Sequence, residues 1–377
     1  MTTEYVVKSG DTLSRIAERL LGSAGKWSVI AEVNRLTNPD RLRVGQKLLI
    51  PSTEPVVVPA VVHPVPPPSG TQTVTFSVEG RDVFALDATS GQRIHLGRTF
   101  RKGLSRHGLL QPEAFIAARP GDLEAASLSR SEVAVMLATA ENEGNLDAIN
   151  TWDDAFLSFG MFQWTAGTGA ERGELAALLA VLEREFPDVF AHYLGRFGLG
   201  VAGSDGTTGF LSLDGQRLDT PERKERLRDL AWVLRFVQAA ADLHVRTVQV
   251  RHAVARLDGF YFRAQSRLGG HALAELLTSE LGAALLLDHH VNRPGHVVGT
   301  VAQALEELGV TADRLAAGDD ALEARAIDRY LAVRETFGRH PMTHAARRGA
   351  VTRDYVARGV ISAARGTFVS NRALRQG

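Results

Sequence analysis

Two glutamates, Glu141 and Glu143, close an apolar helical run, and two adjacent aspartates, Asp153 and Asp154, follow within "ATAENEGNLDAINTWDDAFLSFGMFQWTAGTG". A core has no need of that order of charges. Breaking a glycosidic bond does need such a set: one carboxylic acid protonates the leaving oxygen, and a second carboxylate steadies the oxocarbenium-like state or activates water. A carboxyl half-withdrawn from water has a raised pKa, which suits it to proton donation near neutral pH. The C-terminal end of a helix also disfavours the ionised form.

The element that must position these groups is announced by Ser129-Arg130-Ser131-Glu132, a capping box with Ser129 at the N-cap and Glu132 at N3. The helix it starts is predicted to turn Val133, Met136, Leu137 and Ala140 to one face, with Gly144 near its stop. At about 100° per residue from Val133, Glu141 falls near +80° and Glu143 near −80°, one on each border of that face. Periodicity alone does not choose between them.

Spacing does, through a resemblance. The run from Glu141 to Gln163 resembles the catalytic segment of goose-type lysozymes and soluble lytic transglycosylases. In those enzymes a helix ends in the catalytic Glu, a loop supplies an Asp, and a Gly-Leu-Met-Gln-like turn lines the saccharide cleft. Setting Gly160-Met161-Phe162-Gln163 on that turn implies Glu141 as the general acid and Asp154, or else Asp153, as the second carboxylate. Gln163 and the backbone from Gly160 would bind N-acetyl or hydroxyl groups. Trp152, Phe162 and Trp164 are either sugar platforms or core residues, and the core reading is preferred for Phe162. The resemblance covers about 25 residues, and Asn142 stands where the family usually has Ser. A fainter likeness in "LLLDHHVNRPGHVVGTVAQALEELG" implies Asn292 as a cleft residue. A carboxylate at Asp154 leans towards hydrolysis over transglycosylation.

The N-terminal stretch "YVVKSGDTLSRIAERL…IAEVNRLTNPDRLRVGQKLLIP" reads as strand, helix, helix, strand, with Asp11 or Thr12 capping the first helix. It resembles the LysM domain, a βααβ module that binds N-acetylglucosamine-containing glycans such as peptidoglycan or chitin. The resemblance places a shallow glycan groove at Gly10, Asp11, Thr12 and Leu13 on one side and Asn38, Pro39 and Leu42 on the other. For Gly10 and Leu13 a purely structural role serves equally well.

Seven of the fourteen prolines lie between Pro51 and Pro68 and predict an extended spacer. The expected organisation is therefore α+β: a LysM module over 1–51, a Pro-rich linker over 52–72, and a helix-dominated lysozyme-like domain over 73–377. Within the last, a β-hairpin region occupies 73–100, a helical core 129–345 and a basic segment 346–377. Helices are expected at 171–186, 270–287, 297–308 and 320–337, and one long apolar repeat runs on from Pro221.

Lys plus Arg equals Asp plus Glu at 43 each, so no global field draws the chain to nucleic acid or to an anionic membrane. Seven arginines against one acid beyond Ala345 are expected on an exposed helix face. With no cysteine, thiolate catalysis and cysteine-held metals are excluded. His289, His290 and His296 crowd a stretch with Asp288 and are read as exposed or capping loop residues, so neither metal nor cofactor is expected. The expected partner is peptidoglycan or a chitin-like glycan, with tail or injection-apparatus proteins as further partners. The N-terminus shows no secretory signal pattern. Cytoplasmic synthesis followed by action at the wall, after lysis or delivery by a particle, is the expected route. The competing expectation is a non-catalytic wall-binding or assembly protein on a lysozyme-like scaffold.

Overall fold

A computed structural model of the chain describes residues 2–8, 11–21, 30–31, 33–34, 36, 42–51, 74–87, 91–119, 121–122 and 126–376. The linker at 52–72, most of the second helix expected near Trp27–Asn34, and Gly10, Asn38 and Pro39 lie outside the described residues. The chain is mixed α+β and divides into two compact units, one of Met1–Pro55, Arg119–Asn142 and Ala253–Gly377, the other of Val56–Ala118 and Glu143–His252. None of the described helices is long and apolar enough to cross a membrane.

In the first unit, strands Thr2–Val6 and Lys47–Pro51 pair antiparallel beside the helix Leu13–Leu21. Val7, Leu13, Ile16, Ala17, Leu21, Ile30, Leu48 and Ile50 form their shared core. Asn34 extends this small sheet by imitation. Its side-chain amide donates to the Leu49 carbonyl and accepts from the Leu49 N–H, both at 2.6 Å.

The rest of this unit is helical. Glu280–Asn292 is buried nearly all round, from Leu281 to His289, as a central helix must be. It packs on Arg130–Ala140 and on Ala345–Ala357, while Val297–Leu308 packs on Asp320–Arg334. Leu285, Leu286 and Leu287 are fully buried, each contributing about 1.5–3 kcal/mol of transfer free energy. Ser129 caps Arg130–Ala140 through the expected reciprocal box with Glu132. That helix was expected to be amphipathic, but Ser131, Glu132, Val135, Ala138 and Thr139 are buried too, because neighbours cover several of its faces.

In the second unit, seven described strands join in chain order: Val74–Glu79, Asp82–Asp87, Arg93–Phe100, Gly103–Arg106, Ile149–Asn150, Ser158–Phe159 and Trp164–Thr165. Val83 and Ala85 are buried while their neighbours are less so, the period-two signature of a sheet with one covered face. The predicted hairpin is thus the first part of a longer meander. A three-stranded sheet of Leu199–Ser204, Gly209–Leu213 and Gln216–Arg217 packs against the helix Glu174–Glu185. The apolar repeat beyond Pro221 is broken into shorter pieces, Pro221–Lys224, a 3-10 turn Glu225–Arg228, Leu230–Ala240 and Leu243–Phe260. Asp229 makes the first break. With ψ at 135° it leaves helical backbone, and its carboxylate caps Ala231 N–H at 2.8 Å.

Candidate functional site

Glu141 belongs to the first unit and is the C-cap of the helix Arg130–Ala140. Its side chain is half-buried, and Tyr355 Oη donates to its Oε2 at 3.2 Å. The residue after it is held tightly. Arg348 donates to the Asn142 carbonyl at 3.1 Å, and Asn142 Nδ2 donates to Asp288 Oδ1 at 3.2 Å. Asp288 is fully buried and takes charge-assisted bonds from two arginines, Arg348 at 2.6 Å and Arg334 at 3.2 Å. Arg334, itself fully buried, also donates to the Ala345 carbonyl at 2.9 Å at the start of the helix that carries Arg348 and Tyr355. Six residues, Glu141, Asn142, Asp288, Arg334, Arg348 and Tyr355, separated by up to 214 positions, therefore converge on one helix end.

This network revises two sequence expectations. The arginine-rich segment beyond Ala345 is not simply an exposed face. The Arg348 side chain is 11% exposed, and Arg365 is ion-paired at 2.7 Å with buried Glu323. Nor do His289 and His290 lie in a loop: both are in the helix Glu280–Asn292. His289 Nδ1 meets the Tyr330 hydroxyl at 2.8 Å, and burial, helped by Arg334, pushes its pKa down to about 3. Burial pushes the His290 pKa down to about 3 as well, and its ring stacks on Phe260. Asn292 is half-buried at the last position of this helix.

The loop after Glu141 belongs to the second unit from Glu143 onward. Its first aspartate, Asp147, is structural: buried, it pairs with Arg106 at 2.5 Å and accepts the N–H groups of Leu109 and Leu110 at 2.7 Å. Arg228 then captures the backbone, donating to the Thr151 carbonyl and, at 2.8 Å, to that of Asp153. Asp153 closes a turn, accepting from Ala155 N–H and Asn150 Nδ2, each at 3.1 Å. Asp154 is 89% exposed, with Lys102 Nζ at 3.5 Å. Trp152 is half-buried, edge-on to Phe100 and under the Arg101 guanidinium.

At the glutamine turn, Gly160 has φ +78° and Gln163 φ +50°. Gln163 is half-buried, and its Nε2 donates to the Gly160 carbonyl at 2.9 Å, so the side chain braces its own turn. Gln249, wholly buried on the helix Leu243–Phe260, accepts from Met161 N–H at 3.2 Å and donates to the Leu146 carbonyl at 2.9 Å. Phe162 and Trp164 are 2% and 1% exposed, and the Trp164 ring packs against Phe162 and His252, the part of core residues and not of open sugar platforms.

Among the groove residues expected near the N-terminus, Asp11 is a clamp. Its carboxylate accepts from the Tyr5 hydroxyl at 2.6 Å and from Lys8 N–H at 2.8 Å, with Arg19 at 3.4 Å. The Tyr5 hydrogen bond, then that of Lys8, holds its pKa below the usual carboxylate range. Thr12 Oγ1 takes the capping bond from Arg15 N–H at 3.2 Å. Leu13 is in the core, and Leu42 packs against it half-buried. A family model described as LysM domain matches residues 5–51. Residues 5–51 are a LysM domain. An uncharacterised protein of Deinococcus radiodurans is 49% identical over 49 residues, which are 13% of this chain and 19% of that protein. The potassium binding protein Kbp of Escherichia coli O6:H1 is 47% identical over 49 residues, 12% of this chain and 33% of that protein. The chain thus spans about a fifth and a third of the length of these relatives. No solved structure matches.

Tyr355, Arg348, Arg228 and Gln249 went unseen in the sequence, and Asp288 was noted only as a neighbour of the histidines. The nearest signal was an aspartate inside the apolar run "LLLDHH", which a central helix tolerates only with buried partners.

Two tests follow from this geometry. A Cβ on Gly160 would stand 2.3 Å from Gln249 Oε1, which is itself hydrogen-bonded and not free to swing. Gly160→Ala is expected to lose about 3 kcal/mol in urea unfolding, from left-handed strain and overpacking together; a loss under about 0.5 kcal/mol would show that the turn relaxes. For Asp11, a folded-state pKa below the unfolded value means stability that is present above the ordinary carboxylate pKa and lost as pH falls through the folded one. The melting gap between wild type and Asp11→Asn should be widest near neutral pH and close below about pH 4. A gap independent of pH would deny the carboxylate that role.

Proposed function

We propose that the chain is a glycan hydrolase of the bacterial wall, docked by its LysM domain and cleaving β-1,4 N-acetylmuramyl–N-acetylglucosamine linkages. LysM supports the peptidoglycan-binding half. The cleavage half is carried by Glu141, a half-buried carboxyl at the end of a buried helix, touched by the Tyr355 hydroxyl and followed by a residue locked through Arg348. A general acid needs that restraint, because proton transfer demands a fixed donor atom. In this reading Glu141 gives its proton to the bridging oxygen and the glycosidic C–O bond breaks. Water then adds at the anomeric carbon, giving up a proton, and leaves a new reducing end. Tethering through LysM raises the local concentration of glycan for the enzyme. Release at lysis, as a phage endolysin, or carriage on a tail or contractile injection particle belongs to the same reading.

A second reading has its own support. Asp154 is 89% exposed and beside Lys102, which is the setting of a surface charge. On that reading the chain binds wall glycan, or assembles with tail or injection proteins, without cutting.

Zymography separates the two. Wild type should clear a peptidoglycan gel, and Glu141→Gln should lose at least about 99% of that activity, the lower end of a general acid's usual contribution. Clearing that persists in the variant removes Glu141 from the role, and clearing by neither protein supports the binding reading. Mass spectrometry of the products should show reducing ends; anhydromuramoyl ends would replace hydrolysis with transglycosylation.

A further inference from the structure

Within the second unit lies a cavity of about 510 Å³ that none of the roles above uses. It is set by the three-stranded sheet, the turn Glu225–Arg228 and the start of the helix Leu230–Ala240, with Lys102 at its border. These elements lie outside the segment that resembles lysozymes. The volume falls in the range of small-ligand sites and suits one or two pyranose rings.

The wall is polar and electrically balanced. Lys102, Arg226 and Arg228 face Asp214, Glu225 and Asp229. The charges are already matched: Arg226 pairs with Asp214 and Arg228 with Glu225, each at 2.8 Å. An apolar ligand has little to meet on such a wall, and a polyanion finds a carboxylate for every cation. Paired carboxylates and guanidinium groups, by contrast, keep spare lone pairs and N–H donors in fixed directions. A sugar hydroxyl both donates and accepts, so rows of hydroxyls match such a wall. Phe197 and Trp232 complete the lining, but Trp232 is 7% exposed and the Arg235 guanidinium lies over the Phe197 ring, so recognition there is polar.

The cavity is also tied to the aspartate loop of the same unit. Arg228 donates to the carbonyls of Thr151 and Asp153, and Lys102 approaches Asp154 at 3.5 Å. The geometry points to a second glycan-binding site here, distinct from the LysM domain, that takes one or two neutral pyranose units. Through Lys102 and Arg228 its occupancy bears on the Asp153–Asp154 turn. The assignment rests on the glycan reading of the chain.

The test is calorimetric titration of the full chain carrying Glu141→Gln with chitotriose, with reducing ends assayed in the same samples. At least two independent sites are expected, because the Glu141 cleft of the proposed function can hold the same sugar as the LysM domain. Adding Asp214→Ala with Arg226→Ala, which removes both members of an exposed pair, should weaken one site at least tenfold and leave the rest unchanged. Glu225→Gln, which keeps shape and hydrogen bonding, should weaken the same site several-fold and decides the matter if the double change fails to fold. A single site in the parent protein, or every site unaltered in folded variants, overturns the inference. Persistent cleavage by the Glu141→Gln protein would instead sink the acid assignment while leaving the site count untouched.

Discussion

A carboxylate with no access to water organises the helical unit. Asp288 sits on a helix buried nearly all round, where a lone charge would be prohibitively costly. Arg334 and Arg348 make it tolerable, and they do so only if the helices Asp320–Arg334 and Ala345–Ala357 arrive in one register. A buried pair of this kind adds little net stability over an apolar substitute, yet losing one member typically costs about 3–5 kcal/mol. Its effect here is to fix geometry. The same Arg348 that satisfies Asp288 also grips the Asn142 carbonyl, and Tyr355 lies on the same helix with its hydroxyl on Glu141.

The sheet-bearing unit solves a similar problem by a different route. Its loop from Asn145 to Thr165 holds strands of only two residues, too short for a ladder to define. Side chains from distant positions supply the missing bonds: Asp147 to Arg106, Gln249 to Leu146 and Met161, Arg228 to Thr151 and Asp153. Asp153 is consumed in this bracing. Asp154, next to it, is left pointing to water, which is why the two adjacent aspartates differ so sharply in setting.

What could be read in advance follows the range of the interactions. The capping box at Ser129 and Glu132, the LysM signature and the helix ending at Glu141 are local patterns written within a few turns of chain, and they were legible. The break at Asp229 was a local signal too, an N-cap residue hidden inside a continuous apolar repeat that periodicity alone joined up. The bracing of Glu141 by Tyr355 and of Asn142 by Arg348 spans more than two hundred residues, and no spacing rule reports it. Trp164 shows the opposite failure. An aromatic beside a cleft-like motif invites a sugar-stacking role, whereas its near-complete burial makes it packing.

The claim at the centre is that Asp288 and Arg348 act as one unit to hold the end of the helix bearing Glu141. A double-mutant cycle of Asp288→Asn and Arg348→Met, read as hydrogen-exchange protection at the Glu141 and Asn142 amides, tests it most directly. Those amides bond to the Leu137 and Thr139 carbonyls and so report the helix end itself. The account predicts a coupling of about 2 kcal/mol or more between the two substitutions. Additive effects within about 0.5 kcal/mol would contradict it.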